Sequence, residues 1–146
     1  MSSRPTILVA DPDVRGRLWI VDVLRVDFAV SIPGPGEDPL RAARRLRPEA
    51  VLLAVPRGRS TEALRTCRAI KTDSESPPLV GILDQWGRTG RPERTLSDAL
   101  ADGYLGGRVL PDEVIAFARD VLAARRPVVS NTPPPGFMRR LLKTFR

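Results

Sequence analysis

Histidine is absent from this chain of 146 residues, and cysteine occurs once. Without histidine the usual general base at neutral pH and the commonest metal ligand are missing. A lone Cys67 closes no internal disulfide and fits a reducing, cytoplasmic setting. Nothing around it in the sequence marks an activated thiol, so it reads as a small core residue. No apolar run approaches the roughly 18 residues of a spanning helix, and Met1 to Pro5 carries no signal-peptide core. Aromatics are sparse, with four Phe, two Trp and one Tyr. Acids are missing from the last twenty residues: the net charge of +7 divides into +3 before Pro127 and +4 after it. Lys71 and Lys143 are the only lysines; the other bases are arginine, in keeping with a compositional bias as much as with a nucleic-acid surface. So basic a chain favours an acidic partner without naming one.

What is present is an alternation of short apolar runs and helical patterns. Thr6 to Ala10 reads as a buried strand. Asp11 is placed to cap the helix that follows, with Pro12 at its first position and Asp13 in its first turn. Val14, Leu18, Val21 and Leu24 recur along that helix at helical spacing. Phe28 to Ile32 reads as a short edge strand, and Pro33-Gly34-Pro35-Gly36 as a turn. Asp38-Pro39 opens a second helix with Leu40, Ala43 and Leu46 inward and Arg41, Arg44, Arg45 and Arg47 mostly on a solvated face. The central strand runs from Val51 to Val55, too apolar to have a solvent side. Ser60 caps a third helix carrying Ala63, Leu64, Cys67 and Ile70 on one face. Leu79 to Leu83 is the fourth strand, Pro92 to Leu100 a weak helix, and Tyr104-Leu105 a short fifth strand. Pro111-Asp112-Glu113 opens the last helix, with Val114, Phe117, Ala118, Val121 and Leu122 as its stripe. Five strands alternating with five helices predict a flavodoxin-like, doubly wound α/β fold with parallel strands in the order 2-1-3-4-5.

Such sheets place their chemistry at the carboxyl ends of the strands. The turn after the first strand is Asp11-Pro12-Asp13, without the glycines a dinucleotide site needs, and there is no Walker-type loop. No cofactor and no enzymatic constellation are expected. Four segments, ILVADPDVRGRL, PEAVLLAV, PPLVGIL and LADGYLGGRVLPDEVIAFARDVL, have the order and spacing of a bacterial response-regulator receiver domain over residues 6–126, and the chain resembles that family. The resemblance implies two-component signalling, with a phosphoryl-accepting aspartate ending strand three. It also implies an acidic pair for Mg²⁺, a Thr or Ser ending strand four and a Lys ending strand five. Here those places fall on Ala54, on Asp11 and Asp13, on Leu83 and on Gly107. An acyl phosphate needs a carboxylate nucleophile and its charge needs a cation clamp. Ala54 and Gly107 supply neither, so the pocket reads as degenerate: a pseudo-receiver. Asp11 and Asp13 leave at most a weak Mg²⁺ site, and the cap role is favoured for them. Asp84, as a substitute acceptor, lies on the wrong strand. Tyr104 matches the family's strand-five aromatic switch, and Trp86 in the next loop is a candidate anchor for a partner. A homodimer through the fourth helix, fifth strand and fifth helix is implied by resemblance only.

Pro127 stops the last helix. Residues 127–135, ending in Pro133-Pro134-Pro135, read as an extended linker between the domain of residues 1–126 and a basic amphipathic tail of residues 136–146. In the tail Phe137, Leu141 and Phe145 share a stripe flanked by Met138 and Leu142, while Arg139, Arg140, Lys143 and Arg146 fall largely off it. The expected function is a non-enzymatic, phosphorylation-independent cytoplasmic adaptor. Its core binds one signalling protein, and its tail docks on another or on an anionic inner membrane face. The alternatives are an atypical phosphoryl-accepting regulator and a nucleic-acid binder using the tail. For the latter no helix-turn-helix pattern follows residue 126.

Overall fold

The computed structural model describes residues 4–56, 60–84, 92–107, 109–123 and 127–132. β1 (Thr6–Ala10), α1 (Val14–Leu24), β2 (Ala29–Ser31), α2 (Pro39–Leu46), β3 (Ala50–Ala54), α3 (Ser60–Thr72), β4 (Leu79–Asp84), α4 (Pro92–Ala99), β5 (Gly103–Gly107), α5 (Pro111–Ala123) and β6 (Val128–Thr132) follow one another. The strands form one sheet, every pair parallel, in the order β2-β1-β3-β4-β5-β6. The flavodoxin-like order 2-1-3-4-5 is thus present, extended by a sixth strand.

Strand residues alternate between two faces, and here both faces are apolar. Ile7, Val9, Leu52, Leu83 and Leu105 pack with Ile20 and Leu24 of α1 and with Val114, Phe117 and Val121 of α5. Leu8, Val51, Leu53, Ile82 and Tyr104 pack on the opposite side with Ala42 of α2, Ala63, Cys67 and Ile70 of α3, and Leu96 of α4. α5 approaches the sheet over a pair of glycines, Gly81 and Gly103, that face each other across β4 and β5. A Cβ on Gly81 would lie 2.9 Å from the Phe117 ring, and one on Gly103 would lie 2.6 Å from a Val121 methyl. Asp102 ties the amino end of the sheet together. It accepts from the Val80 amide and from the half-buried Lys71 ammonium, each at 2.8 Å.

Three details depart from expectation. Asp13, not Asp11, is the N-cap of α1, accepting from the Gly16 amide, because Asp11 sits buried in the turn directly after β1. Val14 and Leu18 stand exposed, Ile20 and Leu24 are the buried residues of α1, and Val21 packs against the core partly buried. The first half of the expected linker is β6. Val128–Thr132 pairs along β5 from Gly103↔Val128 to Gly107↔Thr132. Prolines at 127 and 133 bracket the strand, where a missing amide donor costs the ladder nothing. The arginine face of α2 is exposed as expected, yet Arg44 pairs with Asp73 and Arg45 with Glu37.

Candidate functional site

The β1 strand ends at Ala10, and the turn behind it holds Asp11 over the first turn of α1. Asp11 is only 9% exposed. Its Oδ1 accepts the Asp13 amide at 2.9 Å, and Asp13 Oδ2 in turn accepts the Gly16 amide at 3.3 Å. Gly16 allows this arrangement, because a side chain there would collide with Asp11 Oδ2. Burial pushes the Asp11 carboxyl above its ordinary pKa. The Asp13 amide draws it back in part, the Asp13 charge adds to the rise, and Arg17 opposes it.

Four of the strand ends converge beside Asp11. Ala54 pairs with Leu83, and Leu83 with Leu105. Together with Asp11, Asp13 and Gly107 they line a crevice of about 410 Å³ at the carboxyl end of the sheet. The remaining walls are Pro12, Trp19, Ile20, Val55, Pro56, Glu62, Val109 and Val114. The five residues assigned to the degenerate pocket therefore meet in one place. Trp19, Val109 and Glu62 were not singled out in the sequence. Trp19 reads there as one more residue of a helix, and only the crossing of α1 over the strand ends gives it a role. A second groove of about 550 Å³ shares Asp11, Ala54 and Glu62 and runs under Pro33 to Gly36, with Arg17 on its wall.

The backbone adds to the side-chain argument. Gly107 has φ of +86°, a left-handed conformation that side chains rarely adopt. A lysine at this position is both absent and conformationally disfavoured. Asp11 and Asp13 each accept a backbone amide through one oxygen, and strand three contributes a methyl group to the crevice where the resemblance implies a carboxylate. Among the described residues no three acidic, cysteine or histidine side chains gather as a metal cluster.

Tyr104 and Asp84 lie on the other face of the sheet. Asp84 is the last residue of β4 and fully buried. The Tyr104 hydroxyl donates to its Oδ2 at 2.6 Å. Tyr104 is thus no exposed interaction residue: its ring fills the core under α3 and α4, and its polar tip is bound inside. Trp86 and the tail residues Phe137, Met138, Arg139, Arg140, Leu141, Leu142, Lys143 and Phe145 lie outside the described residues. The face of α4, β5 and α5 on which the resemblance would place a dimer carries β6 on its β5 edge.

No family model matches the chain, and neither does any curated protein. Solved structures do. The receiver domain of NarL from Mycobacterium tuberculosis superposes with a TM-score of 0.66 at 18% identity, over 85% of this chain and 100% of that one. A receiver domain from Bermanella marisrubri gives 0.65 at 22% identity, over 82% and 99%. A chemotaxis response regulator of Vibrio cholerae gives 0.65 at 15% identity, over 82% and 99%. The chain has the fold of response-regulator receiver domains. Among the described residues no helix is long and apolar enough to cross a membrane.

Proposed function

We propose that the chain is a phosphorylation-independent signalling adaptor without enzymatic activity: a pseudo-receiver whose core binds one signalling protein and whose tail docks another. The observation that carries this reading is the composition of the crevice. The three positions where phosphoryl chemistry needs a nucleophile, a hydroxyl and a cation are Ala54, Leu83 and Gly107, and all three line the same apolar wall. Such a wall neither accepts a phosphoryl group nor neutralises one. The rival reading, an atypical phosphoryl acceptor, finds no acid at the end of strand three, and Asp84, the acid that ends strand four, is buried on the opposite face and held by Tyr104. The tail part of the proposal rests on sequence: Phe137, Leu141 and Phe145 at four-residue spacing form a stripe suited to a hydrophobic groove.

Measurements on the crevice and on the tail test it. Mg²⁺ with beryllofluoride should leave the amide spectrum of the full chain unchanged; shifts centred on residues 11, 54 and 104 would overturn the pseudo-receiver. Ala54→Asp alone should gain no phosphate from acetyl phosphate, because Leu83 and Gly107 still leave the charge unclamped. For the tail, Phe137→Ala or Leu141→Ala should abolish capture of its partner, while Arg139→Gln and Arg140→Gln should weaken capture and flatten its salt dependence. Binding to anionic vesicles that is lost on removing the four bases would replace the protein groove by a membrane.

A further inference from the structure

The crevice has lost its phosphoryl chemistry, but its volume and one buried charge persist. Its floor and walls are the side chains of Ile20, Ala54, Leu83, Leu105, Val109 and Val114. A space of about 410 Å³ with such walls is in the size range of small-molecule sites. Asp11 lines it, nine-tenths buried, with one oxygen on the Asp13 amide and no ion pair to any described base. Arg17 is near enough to influence the carboxylate but makes no salt bridge with it. A buried carboxylate with a single hydrogen bond is expensive unless something positive completes it. Charged residues among the described lining are Asp11, Asp13 and Glu62, all acids. Trp19 stands on the lining, 38% exposed, and offers an aromatic surface of the kind that favours a cation.

We propose that this crevice binds a small organic cation, an aryl or alkyl amine whose apolar body lies against Trp19, Ala54 and Val109, over a buried floor of Ile20, Leu83, Leu105 and Val114, and whose ammonium faces Asp11. The ammonium pairs with the carboxylate, and the body displaces water from a wall that gives water few partners. This site is separate from the tail and does not depend on how the tail is used.

The test compares three probes with one body: phenethylamine, phenethyl alcohol and hydrocinnamate. Each is titrated into the full chain carrying Trp86→Phe, so that the Trp19 indole N–H is the single tryptophan signal in the proton–nitrogen spectrum. The amine should shift that signal saturably and bind most tightly, and hydrocinnamate should bind least. Asp11→Asn should bring the amine down to the alcohol, a loss on the order of ten- to hundred-fold. Ala54→Phe, which fills the crevice, should abolish binding of all three. Amine binding that is indifferent to Asp11→Asn overturns the proposal, as does the absence of saturable shifts up to millimolar amine. Tighter binding of hydrocinnamate also overturns it.

Discussion

Asp11 and Cys67 are buried titratable groups, and burial raises the pKa of both. Asp11 has a folded-state pKa raised above its ordinary 3.8, chiefly by burial. Its ionised form therefore costs stability above that folded pKa, and the cost disappears as pH falls below the ordinary value. Asp11→Asn keeps an oxygen for the Asp13 amide and removes the charge. It should raise the Tm at neutral pH, with a gain that shrinks as the pH is lowered toward 3.8; equal gains at pH 7 and pH 4 would refute this. Cys67 is buried among Ala42, Ala63 and Val80, and its thiol is pushed up to about 12 by burial, helped by Asp102 and opposed by Lys71. Thiol reagents should therefore leave the native chain unmodified at neutral pH and label it at the rate of unfolding. The burial of Cys67 agrees with the role its helical spacing assigned it. The burial of Asp11 is not written in Asp11-Pro12-Asp13, where either aspartate satisfies the chemistry of a cap. The end of β1 decides between them, and Asp13 is the cap.

At the scale of elements, strands with two apolar faces were legible because each is a short run without a polar position. The order of the sheet followed from the alternation with helices. β6 was not legible. Val128-Val129-Ser130-Asn131-Thr132 has only two apolar residues and adjoins prolines on both sides, so its strand character comes from the open edge of β5 and not from its own pattern. The close approach of α5 was equally hidden, since Gly81 and Gly103 become a pair only once β4 and β5 are in register. That pair makes a sharp prediction. Gly103→Ala places a methyl against Val121 and Phe117 and should destabilise the fold by about 1–3 kcal/mol through overpacking. Urea denaturation should show a lower midpoint with an unchanged slope. An alanine that is tolerated there would mean α5 can lift from the sheet. The crevice was half legible: its five expected residues came from the receiver resemblance laid onto the strand ends, while Trp19 enters only through the path of α1.

For the whole molecule the sixth strand changes what counts as the domain. A chain ended at Arg126 should melt well below the full chain, because the β5 edge loses its neighbour along all of Gly103–Gly107. A chain ended after Thr132 should melt with the full chain. Thermal scans of the three lengths decide it, and coincident melts for the shortest would make β6 dispensable. The parallel direction of β6 has a further consequence. Thr132 lies beside Gly107, so the polypeptide departs from the same rim on which the crevice opens. An antiparallel strand would have released it at the far side of the sheet. If residues 136–146 hold a protein as proposed, it would be tethered within a few residues' reach of that rim, at a local concentration on the order of millimolar, as for short connections. A contact between such a captive and the rim with a Kd well below millimolar would then be made most of the time, and a small molecule lodged in the crevice would compete for the same ground.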